Sequence, residues 1–161
     1  MSEQNFFDGD AVIIGGGLAG LTLALAMDQA GLRVAVVDTL PIDTQLAPEF
    51  DGRASALAYT SWRLFEALGI ADEPLGWMAE NRHTRMVLAS AVLERPNIVS
   101  IAPAMAERYE ARPDGVDVLL ADGRRLSGKL LVACDGKFSR IREQAKIRSV
   151  GWNYGQKGLV A

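Results

Sequence analysis

The chain has 161 residues, 49% hydrophobic and 23% charged, with a net charge of −3. That length buries roughly two-thirds of the surface of an unfolded chain, so one domain over 1–161 is expected and a second full one is not. Scattered Lys and Arg argue against a nucleic-acid partner, and a single Cys134 with a lone His83 leaves no internal disulfide and no metal cluster.

Residues 10–15, DAVIIG, read as a strand whose unbroken apolar run suits burial on both faces. The apolar run 11–27 is preceded by Asp8 and Asp10 and broken by glycines, which argues against a signal peptide or a transmembrane segment, so a cytoplasmic chain is expected. Residues 18–30 are rich in Ala and Leu and are followed by Gly31, a helix with its stop. RVAVVD at 33–38 is a second buried strand, completing a βαβ unit with parallel strands. Residues 41–50 read as loop, 60–68 as a short helix closed by Gly69, and 81–94 as a further helix. Extended pieces at 98–101, 105–111 and 116–121, separated by PDG and ADG turns, suggest an antiparallel hairpin set. KLLVACDG at 129–136 repeats the strand-then-loop pattern, and 139–145 reads as a helix capped by Ser139. Lys137 to Arg148 is the densest basic stretch, but with Glu143 and Gln144 it reads as a solvated helix face.

Gly15, Gly17 and Gly20 fill a G-x-G-x-x-G pattern between the first strand and the first helix. There the first glycine makes the turn, the second admits a pyrophosphate and the third lets helix meet strand. The unpaired N–H groups and the positive dipole end of the helix favour an anion, so the candidate cradle is Gly15, Gly16, Gly17, Leu18, Ala19 and Gly20. Asp38 closes the second strand, where a carboxylate accepts hydrogen bonds from an adenosine ribose and repels a 2′-phosphate. The competing readings are a packing turn for the glycines and a solvent-facing carboxylate for Asp38. The βαβ unit by itself does not choose between FAD and NAD.

Two further stretches carry a family resemblance. EFDGRASALAYTSWRLFEALGI, with Asp51, Gly52, Arg53, Ala54 and Leu57, resembles the segment after the second strand in the ubiquinone-biosynthesis hydroxylases, class A flavin monooxygenases related to para-hydroxybenzoate hydroxylase. CDGKFSRIR, with Asp135, Gly136, Ser139 and Arg142, is similar to the DG motif of the same enzymes, and the ENRHTR helix start and closing WNYGQKGLVA follow in the right order. The resemblance implies an α/β, Rossmann-like FAD-binding fold with a parallel sheet and a small antiparallel hairpin set, the substrate domain being largely absent. It implies Arg53 beside the flavin, Asp135 and Gly136 at the FAD ribose region, and NAD(P)H as a transient reductant. A guanidinium suits pyrophosphate or flavin oxygens, and a carboxylate after a buried strand suits ribose hydroxyls. A surface ion pair of Arg53 with Asp51 or Glu49, and a plain turn at Asp135 and Gly136, are the alternatives. Arg82 and Arg85 read as simply exposed helix residues, with contact to the cofactor from their helix, as the resemblance implies, the alternative. Trp62, Phe65 and Leu68 read as core, Cys134 as a small buried hydrophobe and His83 as structural; no catalytic residue is assigned.

Family members are much longer than this chain, lacking here a later G-D motif and, near 71–76, a stretch of substrate-domain sheet. By the resemblance, the function is that of the FAD-binding part of an NAD(P)H-dependent monooxygenase hydroxylating a polyprenylated phenol in ubiquinone biosynthesis. Peripheral membrane attachment and association with other quinone-biosynthesis proteins are further implications. A non-catalytic FAD- or ADP-binding module and an NAD-dependent dehydrogenase domain are the alternative functions.

Overall fold

In chain order the elements are β1 (Asn5–Ile14), α1 (Leu18–Gln29), β2 (Val34–Val37), α2 (Ile42–Leu46), β3 (Ala54–Ala56), α3 (Tyr59–Ala67), β4 (Met78–Glu80), α4 (Asn81–Leu93), β5 (Ile98–Ile101), β6 (Ala106–Arg112), β7 (Gly115–Leu120), β8 (Arg125–Ala133) and α5 (Arg140–Gln144). They come from a computed structural model that describes residues 5–47, 49, 52–70, 78–152 and 155. The expected gap near 71–76, Asp51 and most of the closing WNYGQKGLVA lie outside the described residues.

One six-stranded sheet runs β5-β2-β1-β8-β7-β6, and β3 and β4 form a separate antiparallel pair. The pairings from β5 to β8 are parallel, and β7 is antiparallel to both β8 and β6. The α/β expectation of a parallel sheet with an antiparallel hairpin set therefore holds. One strand was misplaced: Ile98–Ile101 is not part of the hairpin set but the parallel edge strand of the main sheet, pairing Val34↔Ile98 through Val37↔Ile101. Its four residues carry no period that separates a parallel edge from a hairpin arm.

Because side chains alternate across a strand, each parallel strand feeds two cores. Ala11, Ile13, Val34 and Val36 meet Leu21, Ala24 and Leu25 of α1, Leu88, Ala89 and Val92 of α4, and Phe65 and Leu68. Val12, Ile14, Ala35 and Val37 pack on the other face with Ala106, Val116, Val118, Leu120 and Leu126. Phe65 and Leu68 are thus core, as expected, and Trp62 is half-buried against Tyr59, ring centres 5.6 Å apart. β1 starts five residues before the expected strand because its first half pairs with the start of β8, Phe7↔Leu126 and Gly9↔Gly128. β8 likewise begins earlier than 129. Past Gly128 it has, among the described residues, β1 on one side only, and Leu130 is 50% exposed rather than buried.

One helix stop and one helix start follow the expected chemistry. Gly31 takes φ +77° after α1, with its N–H on the Asp28 carbonyl, and Ser139 Oγ accepts the Arg142 N–H at 3.0 Å to start α5. The 41–50 loop contains the short helix α2, whose buried Gln45 fixes it under the carboxyl end of β2.

Candidate functional site

The carboxyl ends of β1, β2 and β8 meet at one edge of the sheet, where ligands of open α/β folds bind. A cavity of about 370 Å³ opens there, and its wall includes Gly15, Gly17, Asp38, Leu40, Met105, Asp135, Gly136 and Arg140. The three glycines do different things in it. Gly15, at φ +107°, lies so close to Cys134 that an added Cβ would stand 2.3 Å from the Cys134 carbonyl oxygen. A Cβ on Gly20 would stand 1.9 Å from the Gly15 oxygen, so this glycine lets helix touch turn. Around Gly17 nothing lies within 4 Å of the position a Cβ would take. Room beside Gly17 is therefore open on the cavity side, as a pyrophosphate needs.

Gly17 is also the N-cap of α1, with no side-chain cap and no acidic residue in the first turn. The positive end of a twelve-residue helix, with no acidic residue in its own first turn, faces that open space. Gly16 is buried and donates its N–H to Asp38 Oδ2. Asp38 Oδ1 accepts the Leu40 N–H at 2.7 Å. The Asp38 main chain is fixed as well, its N–H on the Ile101 carbonyl at 3.2 Å and its carbonyl accepting the Ala104 N–H at 2.8 Å. Asp38 is thus a half-buried, oriented carboxylate on the cavity wall.

Across the cavity, Asp135 Oδ2 accepts the Arg140 N–H at 2.9 Å and the Ile141 N–H at 3.4 Å at the start of α5. Its Oδ1 is buried and has no hydrogen-bond partner among the described residues. A buried carboxylate oxygen without a donor is costly, and a hydroxyl seated in the cavity would satisfy it. Burial pushes the neighbouring Cys134 thiol up, and the Asp135 charge adds to the rise, so Cys134 stays protonated and inert.

Arg53 lines a second cavity, of about 670 Å³, with Leu18, Asn81, Arg82 and Arg85. Arg82 and Arg85 are half-buried there, not simply exposed as expected, and Arg82 Nε meets Glu80 Oε2 at 2.6 Å. Gly17 faces the first cavity and Leu18 the second, so the N-terminus of α1 separates the two. The site residues expected from sequence fall on these two cavities: Gly15, Gly17, Asp38, Asp135 and Gly136 on one, Leu18 and Arg53 on the other. Gly16 and Gly20 are buried beneath the turn, and Ala19 is exposed on the first turn of α1. His83 is exposed at the start of α4. Sequence reasoning missed Leu40, Met105 and Arg140. Met105 follows β5, and recognising β5 as a parallel strand would have marked its carboxyl-end loop.

Among the described residues no group of His, Cys, Asp or Glu is placed to hold a metal ion, and no helix is long and apolar enough to cross a membrane.

Residues 8–110 match the FAD binding domain family model. Ubiquinone hydroxylase UbiL of Rhodospirillum rubrum is 31% identical over 182 aligned residues, 94% of this chain and 42% of that protein. The 3-demethoxyubiquinol 3-hydroxylase of Escherichia coli is 25% identical, over 94% of this chain and 47% of its own. The crystal structure of the flavin-dependent monooxygenase PieE in complex with FAD and substrate shares the fold, with a TM-score of 0.76 at 21% identity over 90% of this chain and 33% of that one. The chain spans less than half the length of these relatives. With more than half of its residues matched by the family model, and its glycine turn, Asp38 and Asp135 gathered on one cavity, this chain belongs to the FAD-binding domain family.

Proposed function

We propose that the chain is the FAD-binding part of an NAD(P)H-dependent flavin monooxygenase that hydroxylates an aromatic ring in ubiquinone biosynthesis. The observation that carries the reading is the cavity at the carboxyl edge of the sheet, bounded by the uncapped start of α1, the oriented Asp38 and the unpartnered Asp135 Oδ1. The likeness to ubiquinone hydroxylases over 94% of the chain supports the reaction class.

Each residue then has a binding or orienting task. The amides at Gly17 to Gly20 and the helix dipole hold the pyrophosphate, Asp38 accepts ribose hydroxyls, and Asp135 with Gly136 closes the opposite wall. Arg53, Arg82 and Arg85 bring guanidinium donors to the second cavity for the flavin-side phosphate and ring oxygens, beside the carboxylates of Asp43 and Glu49. FAD, when bound, supplies the redox chemistry, with NAD(P)H as reductant and dioxygen as oxidant. The substrate is a polyprenylated phenol, presented at a membrane surface by the quinone pathway. No residue of this chain is assigned a proton-transfer role.

The test is calorimetric titration of the purified chain with FAD, ADP-ribose and 2′-phospho-ADP-ribose. FAD and ADP-ribose should bind, and the 2′-phosphate should weaken binding by about 1–3 kcal/mol through repulsion from Asp38. Tighter binding of the 2′-phosphorylated ligand would overturn the role of Asp38, and absence of FAD binding would overturn the cofactor reading.

A further inference from the structure

The Asp38 carboxylate is aimed by two main-chain amides, and one of these is itself held from below. Leu40 donates its N–H to Asp38 Oδ1 at 2.7 Å, and the Leu40 carbonyl accepts a hydrogen bond from Gln45 Nε2 at 2.9 Å. Gln45 is 2% exposed, a primary amide buried in α2, eight residues past the end of β2. Glutamine is seldom buried so completely, and an amide taken out of water needs a partner of its own. The partner it has is the Leu40–Pro41 peptide, which shares the Leu40 Cα with the Thr39–Leu40 peptide whose N–H orients Asp38. Asp38 and Leu40 both line the first cavity, whereas Gln45 lines neither cavity among the described residues. Its influence on a ligand therefore runs through Leu40.

We propose that Gln45 is a positioning residue for ribose recognition. By holding the Leu40 carbonyl it fixes one flank of the residue whose other flank carries the N–H on Asp38 Oδ1, and so keeps the free lone pairs of the carboxylate turned toward the ribose diol. Without it Leu40 is restrained on one flank only, its N–H is free to drift from Asp38 Oδ1, and the carboxylate is then guided by the Gly16 amide. The inference rests on the adenine-nucleotide reading of the first cavity.

Gln45→Met keeps the volume and removes the donor, so it separates the hydrogen bond from packing. ADP should bind about 3- to 10-fold more weakly to Gln45→Met than to the wild type, the loss of one oriented hydrogen bond. Binding of 2′,3′-dideoxy-ADP, which has no diol for Asp38 to read, should be the same in both proteins. In an Asp38→Ala background, Gln45→Met should add nothing further to the loss of ADP affinity. An equal loss for ADP and its dideoxy analogue would show a merely structural role and overturn the proposal, as would unchanged ADP affinity. Failure of the wild type to bind ADP would instead overturn the nucleotide reading itself, and this inference with it. Should Gln45→Met not fold, Gln45→Ala is judged by the same ratio between the two ligands, which a uniform loss of stability leaves alone.

Discussion

Gly17 and Gly20 belong to one motif but answer to different forces. Gly17 has extended backbone, φ −79° and ψ −174°, and empty space where a side chain would go. Gly17→Val should therefore fold, with stability changed by no more than about 1 kcal/mol, because losing a glycine N-cap is offset by a stiffer unfolded chain. It should nevertheless fail to bind ADP, since the valine occupies the pyrophosphate space. At Gly20 an added Cβ meets the Gly15 carbonyl at 1.9 Å, so Gly20→Ala should cost at least about 2 kcal/mol and lower the Tm by about 5 °C or more. Thermal melts beside ADP titrations check both, and normal ADP affinity in a folded Gly17→Val protein would remove this turn from the phosphate site. Asp38 shows where the residue scale departs from a simple ligand contact. It ties Gly16 and Leu40 as well as facing the cavity, so its removal costs the fold too, which sequence alone did not indicate.

At the scale of elements, the hairpin set is fastened to β8 by a polar cluster that no motif announces. Asp117 on β7 is buried, accepts from Ser127 Oγ at 2.7 Å and from Arg125, and lies 3.3 Å from Arg112 Nε. Burial alone would push its carboxyl up, but the hydrogen bonds from Ser127 and Arg125 and the charges of Arg125 and Arg112 more than offset that and hold it below 3.8. A carboxyl lowered in the folded state contributes stability that is complete above its unfolded value and is lost as pH falls through the folded one. Asp117→Asn should thus cost about 2 kcal/mol at neutral pH, and the gap to the wild type should narrow only below pH 3.8. Chemical denaturation of both proteins across that range checks it; a gap that narrows on going to alkaline pH instead would contradict the assignment. The elements were otherwise well marked in the residues. The glycine stops after α1 and α3 and the Ser139 cap are local chemistry, readable from neighbours in the chain. β3, β4 and α2 were not readable, because three- to five-residue elements carry too little periodicity and form only where a partner is already in place.

For the whole molecule, the second cavity is bounded in part by exposed residues, Asp43, Thr44, Ala47, Glu49 and Arg53 among them. A flavin ring seated there in this chain by itself is open to water, and oxygen transfer to a phenol requires water to be kept out. Reconstituted with FAD, NADH or NADPH and a substituted phenol, the 161-residue chain should consume nicotinamide and release hydrogen peroxide with little hydroxylated product. Measuring peroxide and product together decides it, and product formed in proportion to nicotinamide oxidised would show that this chain's own walls are enough.

The sequence by itself determined the βαβ unit, the place of Gly15, Gly17 and Gly20 between its first strand and helix, and the acid at the end of β2. These depend on contacts within a short stretch of chain, where turn geometry, helix stop and strand burial are written in adjacent residues. Only the tertiary structure decided that β5 joins the parallel sheet, that Asp135 Oδ1 is left without a donor, and that Gln45 stands beneath Leu40. Those facts arise from segments distant in sequence meeting at the carboxyl edge of one sheet. Pairing partner, burial and unmet hydrogen bonds are properties of that meeting, and no residue carries them alone.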